Sequence, residues 1–284
     1  MLVTTPHFAK EKYMDATWIV TVFVVTDTLM DHLDHHSHVL AHVPDSEIIT
    51  IAITAARSFG NHHERALQVL SQSGYLSGTI SVSRFNRRLH ALADWLGLIA
   101  ETLGDLATDG EVFVIDSMPL PVCRRVRARR CRKVRGRVFC GYCAAKKEKF
   151  FGWRLHLLCT PSGVPVAFHI LPGSLHDLTP IHELTVGLPA GARVFGDKGY
   201  NSADDEASIM AETGVRLVPI RRANMKPHTW FLDELELREY RHTIETVNSQ
   251  LEKMGVQRLH ARTNAGFELK VHASVIALAC TNLN

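Results

Sequence analysis

Two aspartates each stand at the end of an apolar run that predicts a buried strand. Asp116 closes the run in "EVFVIDS", and Asp197 closes the run in "ARVFGD". If these strands are parallel neighbours, both carboxylates emerge at the same edge of the sheet. Carboxylates a few ångströms apart repel each other unless a proton or a cation lies between them, and Mg²⁺ or Mn²⁺ takes such oxygen ligands. A single aspartate at a strand end is more often a turn or cap residue, so the prediction of a metal site rests on the pair.

A third carboxylate, Glu245, lies in "RHTIETVNSQLEK", whose pattern predicts a helix. A helix packed across the sheet edge would bring Glu245 to the two aspartates. Arg241 precedes it by four residues, on nearly the same helix face, where it could hold a phosphate or orient the glutamate. Three carboxylates that bind two metal ions are suited to in-line displacement at a phosphodiester bond.

Segment 119–149, hereafter the basic segment, carries a strong excess of positive charge. It contains twelve Lys or Arg residues and one acid, Glu148, for a charge of +11, whereas the net charge of +3 leaves −8 for all other residues. Such clustering predicts contact with a polyanion such as DNA, although a solvated loop is the alternative. The residues predicted to contact DNA are Arg124, Arg125, Arg127, Arg129, Arg130, Arg132, Lys133, Lys146 and Lys147, together with Lys198, Arg241 and Lys253 elsewhere.

Residues 1–105 are predicted to form an all-α domain. The stretches "PDSEIITIAITAARSFG" and "HHERALQVLSQSG" predict two helices that end at glycines, the first at Gly60. A longer helix is predicted over "SVSRFNRRLHALADWLGLIAETLG", with Ser83 as its N-cap. Its first turns carry three arginines, Arg84, Arg87 and Arg88. Either this basic face enters a DNA groove, or the helices form a plain bundle with solvated arginines.

Residues 106–284 are predicted to form an α/β domain. The stretches "EVFVIDS", "FFGWRLHLLCT", "VPVAFHILP" and "ARVFGDKGY" predict strands, and "PSG" predicts a tight hairpin between the second and third. Pro119 and Pro121 are expected to stop pairing of the first strand, and Gly199 is expected to permit a sharp turn after Asp197. Helices alternate with the later strands, so the domain is predicted to be a mixed sheet flanked by helices.

Five stretches occur in order and resemble the DDE-type transposases of bacterial insertion sequences: "VIDSMPLPVC", "GYCAAKKEKFFGWRLHLL", "GVPVAFHILPGSLHDL", "VFGDKGYNS" and "RHTIETVNSQLEK". The resemblance implies a ribonuclease-H-like catalytic core with Asp116, Asp197 and Glu245 as its acidic triad. Asp116 would bridge two Mg²⁺ or Mn²⁺ ions, Asp197 would hold the first and Glu245 the second. It also implies a role beside the metal ligands or on DNA for His176 and Asp177. The stretch "HDLTPIHELTVGL" predicts a helix, and Asp177 or Thr179 could instead be its N-cap.

The composition argues against a membrane-spanning protein and against a disulfide-rich one. No run of about 18 apolar residues predicts a transmembrane helix, and the apolar "TWIVTVFVV" is interpreted as a buried helix. Six cysteines are too sparse for a disulfide scaffold, which favours the cytoplasm. Four of them lie in the basic segment, where zinc binding stays open: Cys123, Cys131, Cys140 and Cys143.

The sequence therefore predicts a DNA transposase that cuts the ends of its element and joins them to target DNA. It would act as a homodimer at the bacterial nucleoid, with the N-terminal helices recognising the element's ends. Two alternatives stay open: a ribonuclease-H-like nuclease without strand transfer, and a DNA-binding protein whose catalytic site has decayed.

Overall fold

The computed structural model describes residues 14–144, 146–221 and 231–283. The first part of the described chain is helical, as predicted. Its helices are α1 (Ala16–His32), α2 (Asp45–Phe59), α3 (His63–Gln72), α4 (Val82–Ala91) and α5 (Ala93–Asp105). Within the described ranges, no helix combines the length and the apolarity that crossing a membrane requires.

The arginine-bearing helix differs from its prediction at both ends. Its N-cap is Ser81, whose hydroxyl accepts a hydrogen bond from the Arg84 N–H over 3.3 Å, so the prediction of Ser83 as cap is wrong. Ser83 instead lies in the first turn, where it cannot satisfy the N–H groups that a cap serves. The helix also breaks at Leu92, which separates α4 from α5. Gly60 ends α2 in a left-handed conformation, as predicted.

A six-stranded mixed sheet follows the helices. Its strands are β1 (Val112–Arg124), β2 (Cys140–Cys143), β3 (Glu148–Cys159), β4 (Pro165–Pro172), β5 (Arg193–Gly196) and β6 (Arg216–Pro219). The order is β2-β3-β1-β5-β6, and β4 pairs with β3 as the predicted hairpin. β3 is antiparallel to β1, whereas β5 and β6 continue the sheet in parallel.

β1 runs through both of its prolines, so the prediction that they end strand pairing is wrong. It pairs with β3 as far as Arg124, but with β5 only from Val112 to Ile115. Beyond Ile115, β1 has no described partner on that side. Pro119 and Pro121 are two residues apart and so direct their nitrogens to the same side of the strand. An edge strand tolerates proline there, because no ladder hydrogen bond is given up.

Helices cover both faces of the sheet. They are α6 (Ile181–Thr185), α7 (Ala203–Thr213), α8 (Phe231–Lys253) and α9 (Asn264–Asn282). The β1 residues Val114, Met118 and Leu120 share a core with the N-terminal helices, α8 and α9. The alternate residues Phe113 and Ile115 share a second core with α6 and α7. This arrangement confirms the α/β class with a preceding helical region.

The division at residue 105 stays a prediction. α9 packs against α2 and α5, and one buried cluster continues from these helices to the sheet. The helical region therefore supports the side of the sheet that carries Asp116, whose neighbours Val114 and Met118 belong to this cluster.

Candidate active site

Asp116 and Asp197 lie at the same edge of the sheet. The parallel pairing of β1 with β5 ends with Ile115 opposite Gly196, and Asp116 and Asp197 are the next residues of the two chains. The two carboxylates therefore emerge from neighbouring parallel chains at the same level. The predicted parallel pairing is present, but the prediction that Asp116 closes its strand is wrong, because β1 continues beside β3 as far as Arg124.

The Asp116 side chain points to the apolar face of β1 that packs under α8. Asn248 of α8 donates a hydrogen bond from Nδ2 to Asp116 Oδ2 over 2.6 Å. Burial raises the pKa of the Asp116 carboxyl to about 7, and the nearby Asp197 and Asp177 carboxylates add to the rise. The hydrogen bonds from the Ser117 backbone and from Asn248 oppose it. Three carboxylates are thus close enough to influence one another, which is the situation that a bound cation relieves.

Asp197 and Asp177 approach each other across Gly199. The Gly199 N–H donates to Asp197 Oδ1 over 2.7 Å. A Cβ at Gly199 would lie 2.8 Å from this oxygen and 2.7 Å from Asp177 Oδ2, so both carboxylates lie too close to the Gly199 backbone for any side chain to fit there. Gly199 lies in the tight turn Lys198–Tyr200 that follows Asp197, as predicted, but the turn does not require a positive φ at this glycine. Glycine is needed here because the two carboxylates come so close to the backbone.

Asp177 is held by side chains of the sheet. Its Oδ1 accepts a hydrogen bond from the Ser117 hydroxyl over 2.6 Å and from Arg154 over 3.4 Å. Asp177 does not cap a helix, and neither does Thr179, because α6 begins only at Ile181, after the N-cap Pro180. The N-cap prediction is therefore wrong. His176 is exposed, and its Nδ1 accepts from the Leu178 N–H over 3.3 Å.

Glu245 is exposed and faces Arg241 rather than the aspartates. Arg241 Nε donates to Glu245 Oε1 over 3.2 Å. With 3.6 residues per turn, Glu245 lies on the same side of α8 as Asn248, about one turn before it. Among the described residues, no three His, Cys, Asp or Glu side chains converge on one metal position. The role of Glu245 as a metal ligand therefore stays a prediction. Its side chain lies one helical turn from Asn248, which binds Asp116.

The donor atoms fit a hard divalent cation. Asp116, Asp177 and Asp197 present carboxylate oxygens, which Mg²⁺ and Mn²⁺ prefer to nitrogen or sulfur. An arginine and a serine hold Asp177 from its other side. This environment would be costly for three charged carboxylates without a cation.

Three residues of this network could not be singled out from the sequence. Only Asn248 had any signal in the sequence: it follows Glu245 by three residues, a spacing that places both side chains on the same helix face. Ser117 directly follows Asp116, and Arg154 lies in an apolar strand. Their partnership with Asp177 depends on the register of β1 with β3, which places Ser117 opposite His156 and Pro119 opposite Arg154.

The basic segment is structured in its described residues and presents its arginines to solvent. Val134 is buried, and Phe139 packs edge-on against Phe151 and Trp153, with ring centroids 6.1 and 4.8 Å away. A groove of about 680 Å³ and a neighbouring one of about 700 Å³ open between these elements. The lining includes Arg125, Arg129, Arg130, Arg132, Arg135 and Arg137, and no acid.

The predicted DNA-binding residues differ in their exposure to solvent, and two of them have partners within the chain. The exposed ones are Arg124, Arg125, Arg127, Arg129, Arg130, Arg132, Lys147, Lys198 and Lys253, and Lys133 is half-buried. Lys146 donates to Glu252 Oε1 over 2.7 Å and to Gln257 Oε1 over 2.6 Å, so its ammonium group already has hydrogen-bond partners within the chain. Arg241 is engaged by Glu245.

The cysteines of the basic segment do not face one point. Cys140 and Cys143 stand opposite Phe151 and Glu148 in the β2–β3 ladder. Residues three apart in a strand point to opposite faces, so these two sulfurs diverge. All six cysteines have free thiols. The described geometry therefore does not assemble the four-cysteine zinc site that the spacing left open.

Comparison with known proteins agrees with the sheet-edge geometry. A family model described as "Transposase DDE domain" matches residues 107–265, more than half of the chain. The transposase for insertion sequence element IS1106 of Neisseria meningitidis serogroup B is 33% identical over 58 residues, which is 20% of this chain and 20% of that protein. The match thus spans about a fifth of that relative's length. No solved structure matches the chain. On the extent of the family match, the chain belongs to the transposase DDE domain family.

Proposed function

We propose that this protein is a metal-dependent transposase that cuts DNA at the ends of an insertion sequence and joins those ends to target DNA. The observation that carries the proposal is the placement of Asp116 and Asp197, each one residue beyond the last pair of the parallel β1–β5 ladder. Membership of the transposase DDE domain family gives this pair of carboxylates its reaction class.

Asp116 and Asp197 would hold two Mg²⁺ or Mn²⁺ ions, with Glu245 completing the ligand set. Bound there, the ions would supply Lewis-acid stabilisation of the attacking and leaving oxygens of the phosphodiester. For Glu245 to take part, its carboxylate must leave Arg241, to which it is paired over 3.2 Å. Because both side chains are exposed, this pair is weak and can exchange its partners.

The basic segment would position the DNA. It continues from the strand that carries Asp116, and Arg124 lies eight residues further along β1. At about 3.3 Å per residue, the first arginine stands roughly 26 Å from Asp116. That distance is compatible with a DNA duplex held by its phosphates while one strand reaches the carboxylates. The N-terminal helices would recognise the element's ends, and a homodimer in the cytoplasm, at the nucleoid, would bring two ends together.

The test uses the full chain, Mn²⁺, and DNA that carries the element's own ends. Asp116→Asn, Asp197→Asn and Glu245→Gln should each lower cleavage by more than about a hundredfold, the scale of losing one group that stabilises the transition state. DNA affinity should stay within about threefold, because these groups hold metal rather than phosphate. Nicked and joined products are separated by electrophoresis.

The matched control is Glu239→Gln, since Glu239 is an exposed carboxylate on the same helix, about 120° around its axis from Glu245. Its cleavage rate should equal that of the unmodified chain. Robust cleavage by the Glu245→Gln variant would remove Glu245 from the ligand set. Cleavage without joined products would favour a nuclease over a transposase.

A further inference from the structure

Arg154 is bound by three acceptors beside the candidate metal site. Its Nη1 donates to the Ser117 hydroxyl over 3.0 Å and to Asp177 Oδ1 over 3.4 Å. Its Nη2 donates to the Tyr142 carbonyl of β2 over 2.9 Å. Only 15% of the Arg154 side chain is exposed, so it is poorly placed to contact a DNA phosphate.

The two oxygens of Asp177 have different surroundings. Oδ1 accepts hydrogen bonds from Ser117 and Arg154, whereas Oδ2 packs against Gly199, as Asp197 Oδ1 does: the two oxygens lie 2.7 and 2.8 Å from the position that a Cβ at Gly199 would take. A carboxylate held by one oxygen keeps the direction of the other oxygen fixed. The second oxygen is thus presented on the side of Asp197.

We propose that Arg154 is a positioning residue of this site: with Ser117 it holds Asp177, and the other oxygen of Asp177 becomes a ligand of the divalent cation once Asp116 and Asp197 turn towards it. In the described structure these three carboxylates do not converge on one metal position, so cation binding must draw them together. The inference rests on the proposed function, because it assumes that these aspartates bind a cation. Arg154 acts through Asp177 and does not touch the reacting atoms.

A guanidinium suits this task better than an ammonium group. Its planar set of donors reaches acceptors in different directions, here Ser117, Asp177 and the Tyr142 carbonyl. The carbonyl anchor lies in β2, at the end of the basic segment. Asp177 is therefore tied to the same strand pair that frames the arginine-lined groove.

The direction in which removal of Arg154 changes cation affinity distinguishes a positioning role from a purely electrostatic one. If Arg154 were only a nearby positive charge, its removal would strengthen binding of a cation, because like charges repel. If Arg154 orients Asp177, its removal weakens binding. The experiment is isothermal titration calorimetry of the full chain with MnCl₂, without DNA, on the unmodified protein and on Arg154→Gln, Arg154→Lys, Ser117→Ala and Asp177→Asn.

We expect Arg154→Gln to raise the dissociation constant of Mn²⁺ about tenfold, the lower end of what removing a partner of a metal ligand costs. Arg154→Lys should raise it as well, because lysine keeps the charge but cannot reach all three acceptors. The double variant Arg154→Gln/Asp177→Asn should bind no more weakly than Asp177→Asn alone, since both changes interrupt one link. Unchanged or tighter binding by Arg154→Gln, or effects that add in the double variant, would overturn the inference.

Two further measurements keep the result decisive. If Arg154→Gln does not fold, Ser117→Ala combined with Asp177→Asn tests the same link by the same non-additivity. If the unmodified chain binds no Mn²⁺, or if Asp116→Asn binds it equally well, the proposed metal site itself fails. Normal binding by the unmodified chain, abolished in Asp116→Asn but kept in Arg154→Gln, would refute only the role of Arg154.

Discussion

Asn248 and Asp116, 132 residues apart in the chain, are joined by a hydrogen bond of 2.6 Å from the Asn248 amide to Asp116 Oδ2. The bond fixes α8 over the end of the paired part of β1. It also offsets part of the desolvation that raises the pKa of the Asp116 carboxyl. Through this contact, the helix that bears Glu245 is held against Asp116.

Asn248→Ala should therefore lower both stability and cleavage. Removing a hydrogen bond to a charged or half-buried carboxyl costs about 1–3 kcal/mol of unfolding free energy. Cleavage should fall further than stability explains, because α8 is no longer fixed to Asp116. Urea unfolding and a Mn²⁺-dependent cleavage assay measure the two effects.

Ser249→Ala is the control for Asn248→Ala, since Ser249 is exposed on the adjacent position of α8. It should leave both quantities unchanged within about 0.5 kcal/mol, as surface substitutions usually do. Equal behaviour of the two variants would show that the Asn248 contact does not locate the helix.

The strand carrying Asp116 illustrates what the sequence could predict. Val112 to Ile115 form an apolar run with a carboxylate at its end, and the run around Val194 and Phe195 repeats the pattern. Local patterns of this kind predict strands, and a parallel pairing of two such strands puts both aspartates at one edge. The structure has this pairing.

The network around Asp177 depends on contacts that no local pattern encodes. Ser117, Arg154 and Asp177 come from β1, β3 and the loop before α6. Their meeting depends on the exact number of residues in each strand and on the hairpin after β3. The proline prediction failed for a related reason, because the tolerance of Pro119 and Pro121 depends on how far β5 extends along β1.

The basic segment should give DNA binding its salt dependence. Replacing Arg124, Arg125, Arg127, Arg129 and Arg130 by glutamine should make the slope of log affinity against log salt less steep, by about 0.9 for each phosphate of duplex DNA that the variant no longer neutralises. Affinity for the element's ends and for random DNA should fall alike, because phosphate contacts do not read sequence. Fluorescence anisotropy at several salt concentrations provides the measurement.

Lys146→Gln is the matched control for charge within the same segment. Lys146 is paired with Glu252 over 2.7 Å, so its replacement should change the salt slope by much less than one unit. A slope that stays constant in the five-arginine variant would make the segment a solvated loop. Selective weakening of binding to the element's ends would mean that it reads bases.

The arginines of α4 should divide between recognition and stability. Arg84 and Arg87 are exposed, whereas Arg88 donates to Asp45 over 3.1 Å and to the Val43 carbonyl over 2.5 Å. Arg84→Gln with Arg87→Gln should reduce discrimination between element ends and random DNA by about 1–3 kcal/mol for each base that is no longer read, with unchanged unfolding. Competition binding measures this discrimination.

Arg88→Gln should lower stability and leave DNA discrimination intact, whereas the Arg84/Arg87 variant should lower discrimination and leave stability intact. The change leaves the half-buried Asp45 without its arginine partner and should lower the unfolding free energy by about 1–3 kcal/mol. Discrimination between DNA sequences should persist in the folded fraction. If the Arg84/Arg87 variant still discriminates fully, α4 is part of a plain helical bundle.

Stability of the helical region should fall in mild acid because of His63. Burial lowers the pKa of His63 to about 4, and the positive charge of Lys270 adds to the effect. In the unfolded chain the pKa is about 6.5, so between these values the unfolded state binds more protons and gains stability as the pH falls. The contribution is fully present above pH about 6.5 and is lost progressively towards pH 4. Between pH 7.5 and 4.5, the free energy of unfolding of His63→Gln should therefore fall by about 2–3 kcal/mol less than that of the unmodified chain. Urea unfolding at the two pH values measures the difference. The control His36→Gln, at an exposed histidine, should keep the full loss, and an identical loss in the His63 variant would assign the acid sensitivity to other groups.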